Sequence, residues 1–191
     1  MDSITQIVLG AACGEAVLGK KIGNRALLFG AIGGTIPDLD VFIGKWLFNN
    51  EIDAMAFHRG FMHSFLFAIL AAVGFGMLVF WIYNRGKRFG MTTQKEWMWL
   101  FFASIFTHPI LDSFTAYGTQ LFAPFSNYRV AFNNISVADP MYTLPFLIAL
   151  IVLMCFKRTS TKRRLFLQIG LGVSSLYMVL TLVNKYNVNG V

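Results

Sequence analysis

The chain has 191 residues, 56% of them hydrophobic and only 13% charged, with a mean hydropathy of +0.60 and a formal net charge of +7. A soluble domain carries roughly 25% charged residues, so this composition excludes an ordinary soluble protein and points to an integral membrane protein. The positive balance does not call for nucleic acid, because in a membrane protein the placement of charge matters more than its sum.

The chain opens on MDSITQ. This start is acidic where a secretory leader is basic, and no short apolar core with a small-residue cleavage pattern follows, so a signal peptide is not expected. Six apolar segments are read at 4–19, 24–36, 62–83, 95–112, 140–156 and 164–184. Helices of about 20 apolar residues cross a bilayer. The expected fold is all-α, a polytopic transmembrane bundle of about six segments. It forms one domain over 1–191, with no internal repeat or low-complexity linker.

The first two segments are short and carry GAACG at 10–14 and GAIGG at 30–34. Small residues three or four apart let helices approach closely in a bilayer. The second segment is too short to cross comfortably alone, so it is expected to tilt, break or tuck against its neighbours. Glu15 lies inside segment one, and an intramembrane carboxylate is a functional candidate by default. The preferred reading has it snorkel to the interface near Lys20 or Lys21. Cys13 and Cys155 fall in apolar segments as small hydrophobes, with no disulfide or thiolate site expected. WMWLFF at 97–102 reads as an interfacial aromatic belt leading into lipid-facing Phe.

Charge placement sets the expected orientation. Lys20, Lys21 and Arg25 follow segment one; Arg85, Lys87, Arg88 and Lys95 follow segment three; Lys157, Arg158, Lys162, Arg163 and Arg164 follow segment five. Those are 12 of the 16 Lys and Arg, all in alternate connections, which the positive-inside rule places in the cytoplasm. The 157–164 stretch is expected to set topology and touch anionic headgroups. Asp2, Asp38, Asp40, Glu51, Asp53, Asp112 and Asp139, with all three histidines, fall at the opposite ends. Six crossings with both termini outside satisfy this pattern.

Three polar islands gather on that non-cytoplasmic side. GGTIPDLD carries Asp38 and Asp40, FHRGFMHS carries His58 and His63, and THPILDSFTAYGT carries His108 and Asp112. The His108–Asp112 spacing is one helical turn, although Pro109 disfavours helix at His108 and predicts a bend or a helix start there. His58 is expected on a loop and His63 near a helix start. His and Asp are the donor set of zinc, manganese or iron, so one or two divalent ions are expected, zinc first. The candidate metal ligands are Asp38, Asp40, His58, His63, His108 and Asp112. Metal-bound water is acidic enough to serve as a nucleophile near neutral pH, with no serine or cysteine needed. Asp38 and Asp112 are the candidate catalytic carboxylates, one of them a possible general base. Arg59 supplies a forked cation for a phosphate or carboxylate group. Ser64, Thr115 and Tyr117 offer hydrogen bonds. Each island alone also has a bland reading, as a turn, a cap or an interfacial residue; their pooling on one side favours the site.

MDSITQIVLGAACGEAVLG, GTIPDLD, HRGFMHS and THPILDSFTAYGTQLFAPFS, in that order, resemble the YdjM-like family of bacterial inner-membrane metal-dependent hydrolases, some of them LexA-regulated. The resemblance runs to DPMYTLPF at 139–146 and implies a metal site at Asp38, Asp40, His58, His63, His108 and Asp112. Asp2 matches the family's opening Met-Asp. Many members continue with a Thr-His pair, whereas Thr5 here precedes Gln6, a poor metal ligand. Longer relatives continue into a soluble region, so a short member or a truncated chain is expected. The HPILD pattern is also weakly similar to zinc-dependent phospholipase C and nuclease P1 enzymes. That similarity favours a phosphoester, and an amphiphilic lipid-type substrate, over an amide or ester. A metal-ion transporter and a metal-binding membrane scaffold are the alternatives.

Overall fold

Small residues set the contact between the first two helices. A computed structural model describes residues 1–50 and 57–189. In it α1 (Ser3–Ile22) and α2 (Asn24–Thr35) form an antiparallel hairpin. Their facing glycines, Gly10 and Gly14 against Gly30 and Gly34, leave no room for a Cβ without overlapping the opposite backbone. The reversal is made at Gly23, whose φ of 62° and ψ of −137° suit glycine alone. Asp2 caps α1 by accepting the Thr5 N–H at 3.3 Å.

The expectation for segment two is met by a broken helix. After Thr35 a 3-10 turn over Pro37–Leu39 leads into α3 (Asp40–Leu47), and the two arms are bent by 44°. Proline is suited to the first position of such a turn, where its missing N–H costs nothing. The break places Asp38 and Asp40 at a helix junction.

A second 3-10 turn, Phe61–His63, precedes α4 (Phe65–Tyr83). Then come α5 (Gln94–Ser113), α6 (Pro140–Met154) and α7 (Thr161–Asn189). The described residues thus form seven α-helices and no named strand, with one isolated bridge between Thr119 and Val130. Two helices are long and apolar enough to cross a membrane, Phe65–Tyr83 and Thr161–Val188, and the bent α2–α3 pair makes a third if it counts as one span. Only 22% of the apolar window of each of the two is buried in the protein, so most of their surface is left for lipid. The three segments at 4–19, 95–112 and 140–156 do not pass by length and hydropathy alone.

The helices lie mainly where the sequence places them, with two departures. Helix α5 runs through Pro109 without ending. A proline in a helix costs the hydrogen bond to the carbonyl four residues back, here that of Ile105; Gln6 Nε2 also donates to the carbonyl of His108, just before the proline, at 3.3 Å. Helix α7 starts at Thr161, so Lys162, Arg163 and Arg164 stand in its first turn and not in the preceding loop.

WMWLFF also departs from expectation. Trp97, Leu100 and Phe101 are buried, and Trp99 is the exposed member of the two tryptophans. Helical periodicity explains this, because 97, 100, 101, 104, 105, 108 and 112 share one inward face. Hydrophobic packing at one end of α5 therefore aims His108 and Asp112 inward at the other.

Candidate metal centre

His108 is aimed by its own helix and by the α1–α2 hairpin. Its Nδ1 lies 2.6 Å from the Gly34 carbonyl, which can only accept. Nδ1 therefore carries the proton, and in the neutral ring Nε2 presents its lone pair. That Nε2 points at His63 Nε2, 3.1 Å away. On its other side, His63 Nδ1 lies 3.0 Å from Asp40 Oδ2, a close ionic contact whose approach is not aligned as a hydrogen bond. Both imidazoles thus have an acceptor behind them and the Nε2 in front.

Two carboxylates complete the cluster. Asp38 Oδ1 lies 3.5 Å from His63 Nε2 and 3.4 Å from His108 Nε2. Asp112 Oδ2 lies 3.5 Å and 3.7 Å from the same two atoms. Metal–nitrogen and metal–oxygen bonds of about 2.0–2.1 Å arranged tetrahedrally put neighbouring donors about 3.3 Å apart. The observed spacings surround that value. Two ring lone pairs and two carboxylate oxygens facing one another repel, so a cation or a proton must lie among them. The residues fit a single divalent ion, and the group could hold one.

Burial sharpens the picture. His63 and His108 are fully buried and Asp112 is 1% exposed, whereas the Asp38 side chain keeps 24% of its exposure. Burial on its own pushes the His63 pKa down, but Asp38 and Asp40 at its two ring nitrogens outweigh it and raise the value.

Of the six candidate ligands, Asp38, His63, His108 and Asp112 converge on one point, while Asp40 and His58 form a second set through the far side of His63. Asp40 is almost fully buried. Its Oδ1 lies 2.7 Å from His58 Nδ1, and its Oδ2 accepts the Arg59 backbone N–H at 3.0 Å. Such a carboxylate behind a histidine fixes ring orientation and strengthens its basicity. His58 sits on the loop and His63 on the turn before α4, and with Asp40 they form a second group whose ligand atoms lie within 4.8 Å of one another and could also hold an ion. Glu51 and Asp53 lie outside the described residues.

Arg59 is held unusually firmly. It adopts a left-handed backbone conformation with φ of 62°, uncommon for a residue with a long side chain. The backbone is tied on both sides, by Asp40 and by the Gln120 N–H donating to its carbonyl at 3.1 Å. Its guanidinium lies 3.4 Å from Asp112 Oδ2, donates to Thr115 Oγ1 at 2.9 Å and packs under the exposed Tyr117 ring. Strain of this kind, held by surrounding structure, clusters at functional sites.

Two participants escape a sequence reading. The Gly34 carbonyl orients His108, although GAIGG reads only as a packing motif. Gln6 donates to Asp112 Oδ1 at 2.9 Å, and the Met1 amino group also contacts that oxygen. So Gln6 holds one oxygen of the Asp112 carboxylate whose other oxygen faces the two histidines. Ser64 departs from expectation: it is buried and caps α4 by accepting the Phe67 N–H at 3.1 Å.

The comparisons place this architecture. The family profile described as the YdjM inner membrane protein matches residues 1–188. The chain belongs to the YdjM inner membrane protein family. Among its relatives, YfhP of Bacillus subtilis (strain 168), an uncharacterized protein, is 30% identical over 159 residues, taking in 80% of this chain and 46% of YfhP. The inner membrane protein YbcI of Escherichia coli (strain K12) is 30% identical over 155 residues, 75% of this chain and 82% of YbcI. The chain thus spans about half the length of YfhP. No solved structure matches.

Proposed function

We propose that this chain is a multi-pass inner-membrane hydrolase that uses one divalent metal ion, zinc first, at the non-cytoplasmic end of its bundle. The observation that carries the reading is the convergence of Asp38, His63, His108 and Asp112, whose ligand atoms all lie within 4.8 Å of one another. Six crossings, with both termini outside, accord with the segregation of basic and acidic residues to opposite ends.

A bound divalent ion supplies a Lewis acid and lowers the pKa of a coordinated water. The chain's own residues do the rest. Asp38 is the one donor of the four with a solvent-facing side chain, so substrate approaches there and Asp38 serves as general base. Asp112 couples the metal point to Arg59, whose fixed guanidinium orients and neutralises an anionic group on the substrate. Asp40 and Gly34 hold the two histidines in register.

An amphiphilic phosphoester is the favoured substrate. The loop after α5 exposes Phe122, Phe125 and Tyr128, and α3 exposes Phe42 and Trp46. Aromatic side chains of this kind settle at the lipid headgroup level. The transporter alternative is weakened because Glu15 is neutralised by Arg163 and offers no free charge along a path.

The test is metal analysis of the purified protein by mass spectrometry, paired with hydrolysis assays on phosphodiesters and phospholipids in mixed micelles. One equivalent of metal and a turnover lost in Asp38→Asn are expected. Protein without stoichiometric metal would end this reading. Metal with no hydrolysis of phosphoester, ester or amide would leave a metal-binding membrane protein.

A further inference from the structure

The opposite end of the bundle holds a cavity of about 540 Å³ between α1 and the start of α7. Glu15 and Arg163 border it, joined by paired bonds of 2.6 Å from Arg163 Nε and one terminal nitrogen to the two Glu15 oxygens. The other terminal nitrogen donates to Asn24 Oδ1 at 2.7 Å and to the Phe156 carbonyl at 3.1 Å. This pair is self-contained and electrically neutral.

The remaining lining is not neutral. Lys20, Arg158 and Arg164 face the same cavity, with Ser160, Thr161 and Gln168 supplying hydroxyl and amide groups. Among the described residues no carboxylate pairs with any of the three cations; Arg158 donates to the Lys21 carbonyl at 2.6 Å, and Lys21 itself is paired with Glu96. The first turn of α7 contains no acidic residue and instead carries Lys162, Arg163 and Arg164. A helix start is the positive end of its dipole and favours anions, so cations gathered there are held against the field. An anion in the cavity relieves both repulsions.

We propose that this cavity binds a phosphate group, supplied by the headgroup of an anionic phospholipid. Leu165 and Ile169, just further along α7, are 52% and 45% exposed and offer an apolar strip for the acyl chains. The helix they stand on is one of the two long apolar helices. Free phosphate shares the headgroup's chemistry but has no use for that strip. The site is remote from the metal centre: Gln6 and Lys20 lie 14 residues apart on α1, roughly 20 Å along the axis.

The test uses the full chain in detergent micelles and native mass spectrometry with phosphatidylglycerol, phosphatidylcholine and inorganic phosphate as separate probes. Phosphatidylglycerol is expected to bind in preference to phosphatidylcholine, and the Lys20→Gln/Arg164→Gln double variant to weaken it by roughly tenfold or more. Both side chains are exposed, so the fold should tolerate the change, checked by unaltered metal content. The control is Arg85→Gln/Lys87→Gln in the other basic turn, which is expected to leave lipid binding intact. Equal binding of both lipids, or an equal loss in the control, would overturn the proposal. Binding of inorganic phosphate without the lipid would overturn the lipid assignment.

Discussion

Two buried polar clusters sit at opposite ends of the α1–α2–α5 scaffold, and they are built on different terms. At the Glu15 end, both carboxylate oxygens meet the Arg163 fork and the remaining guanidinium nitrogen is taken by Asn24 and backbone carbonyls. At the other end, two histidine nitrogens and two carboxylate oxygens face one another around one point, where a proton or a cation must sit among them. A saturated ion pair is a fastening. A cluster of facing lone pairs needs a proton or a cation among them, and so can exchange one for the other.

The largest effect should come from breaking the unsaturated end. His63→Ala or His108→Ala is expected to lower metal affinity by more than about 100-fold, since even outer-shell partners are worth 10–100-fold. Isothermal titration with zinc reads this; retention of near-normal affinity would mean that the four donors are not the ligands.

The saturated end should respond in stability instead. Glu15→Ala leaves Arg163 buried and unpaired, and is expected to cost about 3–5 kcal/mol. Replacing both with well-packed apolar residues should recover most of that loss, as a thermal unfolding series would show. Metal affinity should stay unchanged in every member of the series. A metal defect in Glu15→Ala would break the separation between the two ends.

Asp40→Asn sharpens the division within the metal end. It removes the charge behind His63 while keeping the shape, so affinity should fall by about 10–100-fold with stoichiometry retained. Loss of a whole equivalent of metal would instead place Asp40 among the ligands.

The smallest effect is in pH. The raised His63 pKa means that the metal-free protein holds an extra proton there relative to the unfolded chain. Its contribution to stability is fully present below the unfolded value of about 6.5 and is lost as pH rises through the folded value. Metal binding must displace that proton, so zinc affinity should weaken as pH falls. Unfolding curves with and without zinc should therefore slope oppositely across this window. Parallel slopes would remove His63 from the metal point.

Composition and charge patterning made the membrane class, the helical segments and the segregation of polar residues legible, because those depend on local chemistry and on the lipid environment. The six candidate ligands were also legible as residues of one chemical kind on one side. The sorting of them was not. Whether Asp38 or Asp40 joins His108 and Asp112 depends on a 3-10 turn that ends after Leu39, and His63 contacts both through its two nitrogens. Nor could spacing pair Glu15 with Arg163, 148 residues away, in preference to nearby Lys20 or Lys21. The sequence by itself determined which chemistry is present and at which end of the bundle it gathers. Only the tertiary structure decided which donors meet, because carbonyls such as that of Gly34 and buried partners such as Arg163 act through distances that sequence separation does not encode.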